Sequence, residues 1–182
     1  MENKNRIPGS SVKKILVYGS GKIRDLIHAG YSCFAADDTC LGQTLKTLFE
    51  EHTDHCGSCR GIPLAVASGF AKEEMKDLIR TVPDDDVIFA AVTDVNENWT
   101  LEQLITEVSQ EHRIFRLRGD LREVLQVLGY LAERDPGLME DDTFRQLCTG
   151  AYMYLQKDGS DEEVLKNMVD VLRMLAVRIQ GE

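Results

Sequence analysis

Three short apolar runs stand out along the chain: Ser32 to Ala36 (SCFAA), Ile62 to Ala67 (IPLAVA) and Val87 to Val92 (VIFAAV). Each is bounded by turn-forming or acidic residues, which is the pattern of a strand buried on both faces. Between them the apolar residues fall at helical spacing. Leu41, Leu45, Leu48 and Phe49 mark one helix, and Phe70, Met75, Leu78 and Ile79 mark another. Leu101, Leu104, Ile105 and Val108 recur at i, i+3, i+4 and i+7, the spacing of one apolar helical face. Alternating strands and helices predict a three-layer α/β/α sandwich.

Ahead of these, Lys14 to Tyr18 (KILVY) reads either as a first strand or as the end of a short helix. Ile23, Leu26 and Ile27 then line a helix that stops at Gly30. Ile114 to Leu117 (IFRL) is a candidate last strand. After Gly119 the pattern becomes helical throughout. One helix spans Leu121 to Arg134 and stops at Asp135, Pro136 and Gly137, and a second runs from Asp142 to Gln156. A third opens at Ser160, with Glu163 completing a capping box. The expected organisation is a leader over 1–11, an α/β domain over 12–119 and an all-helical extension over 120–182. No internal repeat is visible. The stripe Val164, Leu165, Met168, Val171, Leu172 and Leu175 is wider than one packing neighbour requires, so these helices pack either on the sheet or on a second copy of the chain.

Length and composition narrow the class. At 182 residues and 43% hydrophobic, the chain can bury a sizeable core without cross-links. No apolar stretch approaches the ~20 residues needed to cross a bilayer, and the polar N-terminus lacks a signal-like core. Five cysteines without framework spacing suit a reducing compartment. The expectation is therefore an intracellular protein, cytoplasmic or nuclear, without a membrane role. A net charge of −10 works against a nucleic-acid binder and favours protein partners with basic surfaces.

Tyr31 to Asp38 (YSCFAADD), the helix Gln43 to Glu51, Ile62 to Ile79 and Asp86 to Leu104 together resemble the growth-arrest and DNA-damage-inducible family. That family lies within the superfamily of ribosomal and kink-turn RNA-binding proteins. The resemblance covers about half the chain. It implies a small, acidic, non-enzymatic stress or cell-cycle regulator that dimerises and works by protein contact. The positions matching the family's acidic surface are Asp37, Asp38, Asp94 and Glu97. Parallel strands would bring Asp37, Asp38 and Asp94 to one edge of the sheet, where partner crevices form. The plainer reading is that these carboxylates cap helices or solvate turns. The RNA-binding members carry an asparagine and a glutamate after the first-strand glycine. Here Gly19, Ser20, Gly21 and Lys22 follow instead, so RNA is not the expected ligand.

Two further chemistries are open. Gly19, Ser20 and Gly21 after an apolar run, with Asp37 ending the next one, partly match a dinucleotide fingerprint, but Arg24 stands where the third glycine belongs. The alternative function is thus a Rossmann-like enzyme binding a nucleotide or small molecule. His52, His55, Cys56 and Cys59 (HTDHCGSC) have donors suited to zinc, and Cys33 or Cys40 could complete the shell. Eight residues seldom close a tetrahedral site, so the first expectation is a polar loop without an obligatory metal. No G-x-S-x-G elbow, Walker loop or H-E-x-x-H helix is present.

Overall fold

The computed structural model describes residues 13–19, 23–51, 54–55, 57–81, 87–157 and 161–181. The leader expected over 1–11 lies outside them. The chain forms two compact units, Met1–Ser109 and Gln110–Glu182.

In the first unit the order is β1 (Lys14–Tyr18), α1 (Ile23–His28), β2 (Cys33–Ala36), α2 (Leu45–Glu51), β3 (Leu64–Ser68), α3 (Lys72–Thr81) and β4 (Ile88–Ala91), followed by the start of α4 (Leu101–Arg134). A single 3-10 turn, Asp38–Cys40, links β2 toward α2. Lys14 to Tyr18 is a strand, and β3 is buried along its whole length. The period-two pleat sends alternate side chains to opposite faces. Leu16, Tyr18, Phe34, Leu64 and Val66 pack with Leu45 and Leu48 of α2 and with Leu101 and Leu104 of α4. Ile15, Val17, Ala65 and Ala67 pack with Leu26 of α1 and Leu78 of α3. This is the expected three-layer arrangement.

The strands do not all run parallel. The sheet order is β2-β1-β3-β4. β1 and β2 are parallel, as are β3 and β4, but β1 and β3 are antiparallel. The unit is thus two βαβ crossovers joined along their first strands. Leu16 and Val66, each the third residue of its strand, pair directly. Gly19 and Gly69 follow the two first strands with φ of 67° and 82°, a backbone region that L side chains rarely adopt. The repetition lies in the architecture.

The second unit is helical and differs from the expected boundaries. Ile114 to Leu117 is not a strand, because α4 runs without interruption from Leu101 to Arg134. Ile114 and Leu117 join Leu121, Val124 and Leu128 on one helical face of this unit's core. Gly119 does not break the helix. One interior glycine costs about 1 kcal/mol, less than that apolar face contributes. The compact units accordingly divide at Ser109 and Gln110 rather than at Gly119.

α5 (Asp142–Leu155) and α6 (Glu162–Gly181) complete the second unit. Asp141 caps α5 by accepting from the backbone N–H groups of Thr143 and Phe144 at 2.7 and 3.3 Å. Asp161 caps α6, accepting from Glu163 and Val164 at 2.9 and 3.0 Å. Ser160, the cap expected from sequence, lies outside the described residues. At the other end of α5, the Arg118 guanidinium donates to the carbonyl of Leu155 at 2.5 Å, satisfying a terminal acceptor. Leu121, Leu128, Phe144, Ala151, Leu165, Val169 and Leu172 fill the core between the helices.

Candidate functional site

The C-terminal ends of β1 and β2 gather most of the polar chemistry of the α/β unit. Asp37 follows β2 in extended backbone and caps the 3-10 turn. Its Oδ1 accepts from the Thr39 N–H at 2.9 Å and from the Thr39 hydroxyl at 2.5 Å, and its Oδ2 accepts from the Gly57 N–H at 2.6 Å. The side chain is buried, and these bonds, led by the Thr39 hydroxyl, hold its carboxyl below the ordinary aspartate range. A Cβ at Gly57 would overlap the Asp37 carboxylate, so a larger residue there needs the loop to shift.

Asp38 makes a second set of ties. The Tyr18 hydroxyl donates to its Oδ1 at 2.6 Å, and the Arg60 N–H donates to the same oxygen at 3.1 Å. The Arg60 guanidinium stands 3.5 Å from Oδ2. The Asp38 N–H donates to Ser58, the His55 N–H donates to Ala35, and the Ala35 N–H donates to the Asp54 carboxylate. A loop without regular structure is thereby fastened along the free edge of β2. The two aspartates thus tie the turn after β2 to the loop.

These ties also bring ligand chemistry together. Asp37, Cys40 and His55 offer donor atoms that all lie within 4.8 Å of one another. Cys40 is fully buried. Cys59 lies alongside, with its thiol donating to the Ala36 carbonyl at 3.5 Å and raised in pKa chiefly by burial. His52 and Cys56, singled out with His55 and Cys59 in the sequence, lie outside the described residues. So do Ser20 and Gly21 of the glycine motif; Gly19 is described and turns the chain after β1. The contribution of Cys40 emerges only when the D-D-T-C turn folds against the loop.

Asp94 does not join Asp37 and Asp38 on one edge. Because β4 runs opposite to β1 and β2, its C-terminal end, which Asp94 follows, is at the other end of the sheet. Asp94 is exposed. Asn96 orders this turn, accepting from Thr93 at 2.7 Å and donating to the Ala91 carbonyl at 3.0 Å. The Glu97 carbonyl accepts from Lys46 at the start of α2, and Trp99 packs half-buried on the core.

The helical unit carries a different feature. An open groove of about 340 Å³ runs between α5 and α6, lined by Leu147, Gly150, Ala151, Val164, Met168 and Val171. Along α6 the exposed Val164 and Val171 adjoin the buried stripe of Leu165, Val169, Leu172 and Ala176. The apolar arc is wider than the core contact uses. Gly150 leaves open space where a side chain would stand.

Residues 65–115 match a family model described as a domain of unknown function, DUF3783. The match covers β3, α3, β4 and the first part of α4. No curated protein and no solved structure matches the chain.

Proposed function

We propose that this chain is a non-enzymatic binding protein that works through protein contacts, and that its contact surface is the α5–α6 face of the helical unit. The observation that carries the reading is the open apolar groove between Leu147 and Val171, beside exposed valines on α6. An apolar groove between two helices suits an amphipathic helix presenting side chains at i, i+3, i+4 and i+7. The exposed Val164 and Val171 on α6 are spaced to serve as such a ridge, so the first occupant is a second copy of the chain. An isologous contact uses one patch twice, with each α6 entering the partner's groove.

The acidic composition supports a basic surface on any further partner. Of the carboxylates assigned to that contact, Asp37 and Asp38 are engaged by the loop, which leaves the exposed Asp94, with Glu97, to meet it. Dinucleotide folds place the cofactor at a switch point between parallel strands. Here an antiparallel β1–β3 pair occupies the centre of the sheet, and Asp37 is already bonded within the fold. The Rossmann-like enzyme is therefore the weaker reading.

Light scattering on the protein and on Val171→Glu tests the proposal. Val171 is 47% exposed, so a glutamate there leaves the core intact while placing a charge in the contact. The parent protein is expected to self-associate at tens of micromolar, on the order of ordinary oligomer affinities. The variant is expected to remain monomeric. A parent protein that is monomeric throughout that range, or a variant that associates equally well, contradicts the proposal.

A further inference from the structure

The loop-anchoring region of the α/β unit brings an oxygen, a sulfur and a nitrogen donor to one point, from segments that are separate in sequence. Asp37 and Cys40 stand on the turn after β2, and His55 stands on the loop after α2. We infer that Asp37, Cys40 and His55 form a binding site for a zinc-class divalent cation.

The donor set selects the ion. A thiolate and an imidazole favour zinc over magnesium or calcium, which take oxygen ligands, and a carboxylate completes a common zinc trio. Around tetrahedral zinc, donors about 2.0–2.3 Å from the ion stand about 3.3–3.8 Å from one another. A trio already within 4.8 Å therefore closes by roughly 1–1.5 Å at its widest. The half-buried His55 is on a loop and can make that movement, whereas Asp37 and Cys40 are fixed in the interior.

The hydrogen bonds around Asp37 are those of a positioned ligand. A carboxylate has about four lone-pair sites. Two on Oδ1 are taken by the Thr39 N–H and hydroxyl, and one on Oδ2 by Gly57. One site on Oδ2 remains for a cation, with the carboxylate's orientation set by its other partners. The Cys40 thiol lies 3.9 Å from Oδ1, the other oxygen of the same carboxylate. On binding, the S–H bond breaks, the sulfur's electron pair goes to the metal, and the proton leaves to solvent. With three protein ligands, the fourth coordination position falls to water. The ion would staple the turn to the loop. It would use His55 from the cluster noted in the sequence, with Cys40 in place of its other members.

The test uses the full chain, stripped with chelator and titrated with cobalt(II), then with zinc(II). One cobalt per chain is expected, with a thiolate-to-cobalt charge-transfer band that zinc abolishes. Cys40→Ser should lose the band. Since Cys40 is buried and that variant can misfold, His55→Ala provides the second arm. It should bind cobalt at least tenfold more weakly while Trp99 fluorescence reports a folded α/β unit. Cys56→Ser should keep the band. The inference is overturned by a parent protein without the band, by unchanged affinity in His55→Ala, or by loss of the band in Cys56→Ser.

Discussion

Tyr18→Phe removes one oxygen from the α/β unit and isolates the anchoring role of its polar end. The ring stays buried in the core, so packing is preserved. What is lost is the hydroxyl that donates to Asp38 at 2.6 Å and accepts from the Gly61 N–H at 3.3 Å. A hydrogen bond to a charged acceptor contributes about 1.5–3 kcal/mol. Gly61 is exposed, so water replaces its partner at little cost. The Asp38 side chain is 24% exposed and keeps Arg60, which places the loss near the lower end, about 1.5 kcal/mol. In a unit of this size that lowers Tm by roughly 6–12 °C. Trp99, the chain's single tryptophan, packs against this unit's core, so its fluorescence reads the transition without contribution from the other unit's side chains.

Burial, and then the bond to Asp38, raise the Tyr18 pKa above 10 in the folded protein. Between the unfolded and folded values the native state holds more protons, so this contribution is complete below pH 10 and is lost as pH rises through the raised value. The stability gap between the parent protein and Tyr18→Phe should accordingly narrow above about pH 10. A loss below about 0.5 kcal/mol at neutral pH, the size of an ordinary surface substitution, or a gap that widens with alkali refutes the reasoning.

Gly57→Ala should destabilise the α/β unit by about 1 kcal/mol, because the new methyl meets the Asp37 carboxylate and only the exposed loop can yield; denaturant melts followed by fluorescence check this. Native thiol labelling at about pH 8, read by peptide mass spectrometry, should find Cys33 and Cys148 slow. Burial pushes Cys33 up to about 11 and raises Cys148 as well, leaving little thiolate to react. Unfolding in denaturant should bring both to the rate of a free cysteine.

The sandwich was legible in the sequence because its strands are short apolar runs and its helices carry periodic apolar positions. SCFAA, IPLAVA and VIFAAV hold β2, β3 and β4, and the stripe from Phe70 to Ile79 holds α3. Strand direction was not legible. A strand with both faces buried has the same pattern in either direction, and the reversal of β3 against β1 is fixed by long-range pairing that no local signal carries. Ile114 to Leu117 was ambiguous for a related reason: four residues fit both periods until Leu121, Val124 and Leu128 extend the helical one. The Cys/His cluster lies on the loop that carries His55, but Asp37 and Cys40 come beside it only once that loop is laid along β2. The breadth of the α6 stripe, by contrast, was plain from spacing alone, whereas the groove beside it, which carries the proposed contact, needed the packing of α5 on α6.

Sedimentation equilibrium of the parent protein beside Gly150→Leu tests that contact most directly. Gly150 is exposed on α5, and a Cβ at that position would meet nothing within 4 Å, so leucine adds helix propensity of about 1 kcal/mol while filling the floor of the groove. The parent protein is expected to associate at tens of micromolar, on the order of ordinary oligomer affinities, and the variant to be at least as stable yet monomeric. A parent protein that sediments as a monomer, or a Gly150→Leu protein that associates with unchanged affinity, contradicts it.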